Sequence, residues 1–147
     1  MQMTYIQTIL SRKAKYKAGE IANNVLDKFC SQGRLPQVID YPPAVVACGK
    51  NEHRTYTSTT KHVSPEHIHD ILFEELEQLG SIGTFSPYAN NSRVGYCAEP
   101  NAANQLLKFE RVNSLDDIHF GEAYRPRTGV VVPPCGNCRR TFINVVR

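Results

Sequence analysis

The sequence predicts an α/β fold in one domain, on three observations. Apolar residues recur at helical spacing over about 5 to 31. An apolar run, a cluster of turn formers and a Tyr/Thr-rich run follow one another between 44 and 60, as in a hairpin. Two later stretches place proline beside cysteine in the way a helix start does. The 147 residues can bury one sizeable core but not two, and no linker divides them. Residues 1-147 are therefore expected to form a single domain, with an N-terminal helical segment over 1-40 and the remaining elements over 44-147.

In the first segment Tyr5, Ile6, Ile9 and Leu10, then Ile21, Val25, Leu26 and Phe29, recur every three or four residues, and Thr4 and Gln7 are spaced as a capping box. One long helix or two consecutive helices are expected, ended by Gly33, Pro36 and the Pro42-Pro43 pair. AVVACGKNEHRTYTST reads as the hairpin, with strands at 44-48 and near 54-60 and a turn over Gly49 to Asn51. Ser64 and Pro65 are placed to start the next helix, with Ile68, Leu72, Leu76 and Leu79 along one face and Gly80 at its end. GSIGTFSPYANNSRVG, 80-95, is rich in turn formers, and a loop of that length in a compact domain is often functional. A helix over about 98 to 109, extended stretches at 117-124 and 129-132, and a last helix from Cys135 to about 143 complete the order.

Composition removes several classes. Hydrophobic content of 41% and charged content of 21% are ordinary for a globular domain. No apolar run approaches the roughly 18 residues of a membrane span, and the N-terminus lacks the apolar core and cleavage site of a secretory signal. The first 19 residues carry Arg12, Lys13, Lys15 and Lys17 without an acid. Organellar presequences share that bias, but a basic solvated helix face is the expected reading. Five cysteines suit a reducing compartment better than a disulfide framework. The formal charge of +3 mildly favours an anionic partner.

The chemistry concentrates in CAEPNA, 97-102, and PPCGNCRR, 133-140. Pro100 and Pro133-Pro134 put Cys97 and Cys135 at or just before helix N-termini, with Cys138 on the same face of the second helix's first turn. There the free amides and the positive end of the helix favour thiolates, the form that binds metal. Three thiolates select zinc over hard cations, and a three-ligand zinc keeps one tetrahedral position for water, whose pKa it lowers toward about 7. Glu99 stands two residues from the first ligand, where it could move protons without ligating.

These two motifs together resemble the zinc signature of the cytidine deaminase superfamily in its three-cysteine form. The resemblance is explicit over about 97 to 140, and element order extends it back to about 44. It implies a three-layer fold, a central mixed sheet flanked by helices, shortened at the C-terminus. It also implies hydrolytic deamination with Zn2+ held by Cys97, Cys135 and Cys138 and with Glu99 as the catalytic proton shuttle. Amides near Ala98 and Cys135 would orient substrate, and Arg139 would offset thiolate charge unless it is only an exposed helix arginine. Cytosine is the expected base, since this form is typical of cytidine-type enzymes.

Two departures bear on the substrate. The Asn and Glu pair with which free cytidine deaminases hold ribose is missing from RTYTSTT. Asn90 and Asn91 could contact a sugar or base in its place, or be ordinary turn asparagines. Free deaminases also continue beyond the second zinc motif, whereas this sequence ends at Arg147. With that early end, and with CAEPNA and NCRR, the chain resembles the compact deaminase domains of bacterial polymorphic toxins, such as the YwqJ-like group, which act on nucleic acids or nucleotides and in some cases pair with an immunity protein. That resemblance implies action in the cytoplasm, either the cell's own or that of a target cell. The basic N-terminal helix would then be a phosphate contact, and Tyr88, Tyr96 and Phe85 would be stacking residues for a single-stranded or flipped base, though aromatics beside a loop more often pack. An open sheet edge would permit a homo-oligomer. Three alternatives stay open: a free cytidine or deoxycytidine deaminase, a redox pair at Cys135 and Cys138, and a non-enzymatic module whose structural zinc takes a fourth ligand from Cys30, Cys48, His67 or His69.

Overall fold

The computed structural model describes residues 3–147. Its elements run α1 (Tyr5–Cys30), β1 (Val45–Gly49), β2 (Thr55–Thr59), α2 (Asp70–Glu77), β3 (Phe85–Ser86), β4 (Ala89–Arg93), α3 (Ala98–Phe109), β5 (His119–Phe120), β6 (Ala123–Tyr124), β7 (Val131–Val132) and α4 (Gly136–Thr141). β1 is the hub. One edge pairs with β2 along its whole length, from Val45 opposite Thr59 to Gly49 opposite Thr55. The other edge pairs with β5 at Cys48 and Gly49 and with β6 at Val45, and β6 carries β7 outward. Strands β3 and β4 form a separate two-stranded sheet.

Successive residues of β1 point to opposite faces, and that alternation builds three layers. Ala47 meets Leu10 and Ala14 of α1 on one side. Val46 and Cys48 enter the main core on the other, with Leu72 and Leu76 of α2 and Ala102, Ala103 and Leu106 of α3. The α/β class is as expected, but the sheet is not mixed: every strand pairing among the described residues is antiparallel. The cause is local, because both outer strands are added by hairpins. The second hairpin closes tightly, with Gly129 N donating to Arg125 O and Arg125 N to Val130 O.

Tyr5–Cys30 resolves the sequence ambiguity as one helix. Gln7 N donates to Thr4 Oγ1 at 3.2 Å and Thr4 N donates to Gln7 Oε1 at 3.1 Å, completing the capping box. α1 lies against the link between β5 and β6 so closely that a Cβ at Gly121 would sit 2.3 Å from Ser11 N. Ser11 fastens that crossing, its hydroxyl accepting from Glu122 N at 2.8 Å.

Four boundaries differ from expectation. Ser64 and Pro65 open only a single 3-10 turn, and α2 starts at Asp70, capped by His69, whose Nδ1 accepts from Ile71 N at 3.2 Å. Asn104 of α3 holds the chain between them extended, accepting from His69 N and donating to His67 O. Residues 80-95 are not all loop, since they contain the β3–β4 hairpin. The stretch 117-124 divides into a 3-10 turn and two strands where α1 crosses it. α4 ends at Thr141 because Phe142 turns extended and packs on Phe120, ring centroids 4.7 Å apart. Among the described residues no helix is long and apolar enough to cross a membrane.

Candidate metal centre and its cleft

α3 runs through the interior, with nine of its twelve residues buried. Its N-cap is Cys97. One buried side chain, Asn101, locks the approach to that cap: its Nδ2 donates to Cys97 O at 2.9 Å, Lys61 O at 3.2 Å and Tyr96 O at 3.3 Å. The segment after β2 and the segment before α3 are thereby tied to one point.

Helix α4 brings the other two cysteines, Cys135 as its N-cap and Cys138 within it. The β3–β4 hairpin sets its position. Ser86 Oγ donates to Asn137 Oδ1, and Asn137 Nδ2 donates to Ser92 O at 3.2 Å. Gly136 passes so near the hairpin that a Cβ would fall 1.8 Å from Tyr88 O, so any side chain there would displace α4.

The three sulfurs meet. Cys135 Sγ is 3.3 Å from Cys97 Sγ and 3.7 Å from Cys138 Sγ, and all three lie within 4.8 Å of one another. Zinc–sulfur bonds of about 2.3 Å at tetrahedral angles place sulfurs about 3.8 Å apart, so the cluster has the size and donor chemistry of a three-thiolate zinc site. Hydrogen bonds from the Cys138 and Cys97 thiols pull the Cys135 pKa far down, the first having the larger effect, and the amides of Cys138 and Asn137 add to it. Its own bonds with Cys135 and Cys97 push Cys138 well up, while the contact with Cys135 raises Cys97 to about 12.

Glu99 is 6% exposed, and its Oε1 lies 3.7 Å from Cys138 Sγ. Burial is the main reason its carboxyl is raised to about 7. The ligand group itself contains only the three cysteines among the described residues. Cys48 packs in the core, Cys30 is exposed at the end of α1 and His69 caps α2, and neither they nor His67 belong to the group.

Beside the sulfurs opens a cleft of about 540 Å³, with Cys97, Ala98, Glu99 and Cys135 on its lining. Tyr96 also lines it, stacked on His62 with ring centroids 4.7 Å apart and planes 18° from parallel. Asn91 contributes from β4, but Asn90, Tyr88 and Phe85 are not on the lining. Tyr88 instead lies under the Arg140 guanidinium, 3.9 Å from its ring centroid, and Phe85 under Arg93 at 4.4 Å. Arg139 is exposed and donates to Pro134 O at 3.1 Å. The basic side chains of α1 belong to the opposite layer of the sheet, away from the sulfurs.

Sequence reasoning passed over the cleft's own cations. Lys61 follows β2, Arg93 ends β4 and Arg125 follows β6, and Glu99 is the one acid on the same lining. They are scattered over 64 positions as single charges, and only the strand order brings them together. Asn101 and Asn104 were equally silent, being polar residues inside an otherwise apolar helix pattern. No protein-family model matches the chain, and comparison with curated proteins and with solved structures gives no match.

Proposed function

We propose that this chain is a zinc-dependent hydrolytic deaminase that converts cytosine to uracil in single-stranded or flipped-out nucleic-acid bases. The observation that carries the proposal is a buried carboxylate, Glu99, 3.7 Å from a sulfur of a three-cysteine cluster at the wall of a cleft. Cys97, Cys135 and Cys138 would hold the zinc, which when bound supplies Lewis acidity and lowers the pKa of water. The choice of cytosine rests on the resemblance of CAE and PCGNC to cytidine-type enzymes.

The chain's own residues have definite tasks in this reading. Glu99 accepts a proton from the attacking water and delivers it to the ring nitrogen of the base. It then carries the second proton to the departing amine, so that water is consumed and ammonia released in equal number. Tyr96, held flat by His62, offers a face for the base, and Asn91 a polar edge. Lys61, Arg93 and Arg125 suit a phosphate-bearing substrate, which favours nucleic acid over a free nucleoside.

The test is mass spectrometry of cytidine, dCMP and cytosine-containing single-stranded DNA and RNA after incubation with zinc-loaded protein or its Glu99→Ala variant. Uracil formed in the polymers by the wild type alone is the expected result. Conversion of the free nucleoside alone would move the activity to nucleotide salvage. No product from any of them at full zinc occupancy would overturn the cytosine assignment and favour a non-enzymatic zinc module.

A further inference from the structure

We propose that the groove beside the cleft is the subsite for the nucleotide next to the reacting one, so that the chain grips a single strand across at least two nucleotides. This deepens the deaminase reading and rests on it. The groove is about 720 Å³ and shares Pro43 and Arg125 with the cleft, so the two form one continuous surface. Beyond the shared residues it is lined by Val38, Ile39, Tyr41, Pro42 and Arg127.

Two properties point to a nucleic-acid strand. The first is charge: Arg125 and Arg127 are both exposed, and neither side chain makes a hydrogen bond or ion pair among the described residues. The nearest acid in sequence to this wall, Asp40, is not on the groove's lining, and its Oδ2 accepts from Gln37 N at 2.7 Å. The second is a flat apolar wall held in place. Ile39 is 87% exposed and Val38 65%, yet both sit in a 3-10 turn closed by Asp40 and by Tyr41 N donating to Val38 O. An apolar surface with an aromatic ring beside paired, unneutralised arginines matches a base and its phosphate, the combination single-strand binders use. An acidic or purely apolar protein surface would use only one half of it.

The experiment measures binding of labelled tetrathymidylate and tetrauridylate by zinc-loaded protein, against the matching mononucleotides. These carry product-like bases and are not turned over, so affinity is read apart from chemistry. The tetranucleotides are expected to bind at least tenfold tighter. Tyr41→Ala and Arg127→Ala should each cut that ratio about fivefold or more, and Arg127→Ala should lower the slope of log affinity against log salt by about 0.7, one phosphate contact on a single strand. Arg12→Ala, in the opposite layer, should leave ratio and slope unchanged. The DNA and RNA arms show which polymer the groove prefers. Equal affinity for mono- and tetranucleotide, or an Arg12→Ala effect as large as that of Arg127→Ala, would overturn the subsite while leaving the deaminase reading intact. Tight, Arg127-dependent binding in a protein that never releases ammonia would keep the groove and sink the deaminase.

Discussion

The two faces of β1 are built differently. On the Ala47 side a single helix of 26 residues covers the sheet, its inner contacts Leu10 and Ala14 and its outer side basic. On the Val46 and Cys48 side, short elements converge: an eight-residue helix, a buried twelve-residue helix, a six-residue helix and a detached hairpin, tied together by Asn101, Asn104 and Asn137. The cations differ too. On α1, Lys17 pairs with Glu20 at 2.7 Å and Lys13 donates to Thr55 at 3.0 Å, whereas Lys61 and Arg125 at the cleft make no such side-chain contact among the described residues. The densest basic stretch of the sequence thus belongs to a supporting layer, and the three sulfurs belong to the face where several chain segments meet.

The comparison breaks most visibly on removal of the metal. Zinc binding to the folded state alone adds about 4 kcal/mol when free zinc exceeds its dissociation constant about a thousandfold. Chelation, or Cys138→Ala, should abolish zinc content and lower the thermal midpoint by roughly ten degrees, on a scale of about 2–4 °C per kcal/mol for a chain of this size. Metal analysis with thermal denaturation checks this. An unchanged midpoint on adding zinc would mean that the three sulfurs do not act as a site.

A matched pair of core truncations sharpens the contrast. Leu106 of α3 and Leu10 of α1 are both fully buried. Each should lose about 2–5 kcal/mol on replacement by Ala. Only Leu106→Ala should also weaken zinc, since it loosens the helix that begins at Cys97. Chemical denaturation paired with zinc titration separates the two effects, and equal zinc affinity in both variants would show the faces to be one rigid unit.

What was legible in the sequence follows the same division. Local signals were strong for α1, where the capping box and apolar spacing agree, and for the Cys97 and Cys135 helix starts, where proline and cysteine agree. The helix after Ser64 was misplaced because a residue 40 positions away, Asn104, decides where it begins. The sheet was expected to be mixed, yet the turn over Arg125 to Gly129 makes β7 return alongside β6. Glu99 could be singled out because it is two residues from Cys97, but the cleft's cations come from three separate segments and carry no mutual spacing.

Asn101 probes the link between the two levels. Replacing it with Ala leaves the Lys61 carbonyl without its Nδ2 donor, while Tyr96 O keeps Lys61 N and Cys97 O keeps the Asn101 amide. Losing a part-buried hydrogen bond of this kind costs about 0.5–1.5 kcal/mol. Substrate affinity should fall alongside, because Lys61 and Tyr96 would keep only the one bond between them and Asn101 would no longer fix that pair to α3. Denaturation and nucleotide binding measured on the same variant check this, and a stability loss with unchanged binding would show that the cleft wall is positioned by other contacts.

The smallest expected effect is at the far end of the supporting layer. Thr4→Ala removes one half of the capping box, and loss of such a cap costs about 1 kcal/mol. The damage should stay in the first turn of α1, because Gln7 retains a second bond, its Nε2 donating to Asn144 O at 3.1 Å. That bond fastens the helix start to the segment after α4, so Gln7→Ala should cost more than Thr4→Ala even though both belong to one cap. Zinc affinity should be unchanged by Thr4→Ala, since Ala47 and the sheet stand between α1 and the sulfurs. Urea denaturation at fixed zinc, with a competition titration for the metal, reads both quantities. A fall in zinc affinity in Thr4→Ala would show that strain crosses β1, and the two faces would then have to be treated as one cooperative body rather than as support and site.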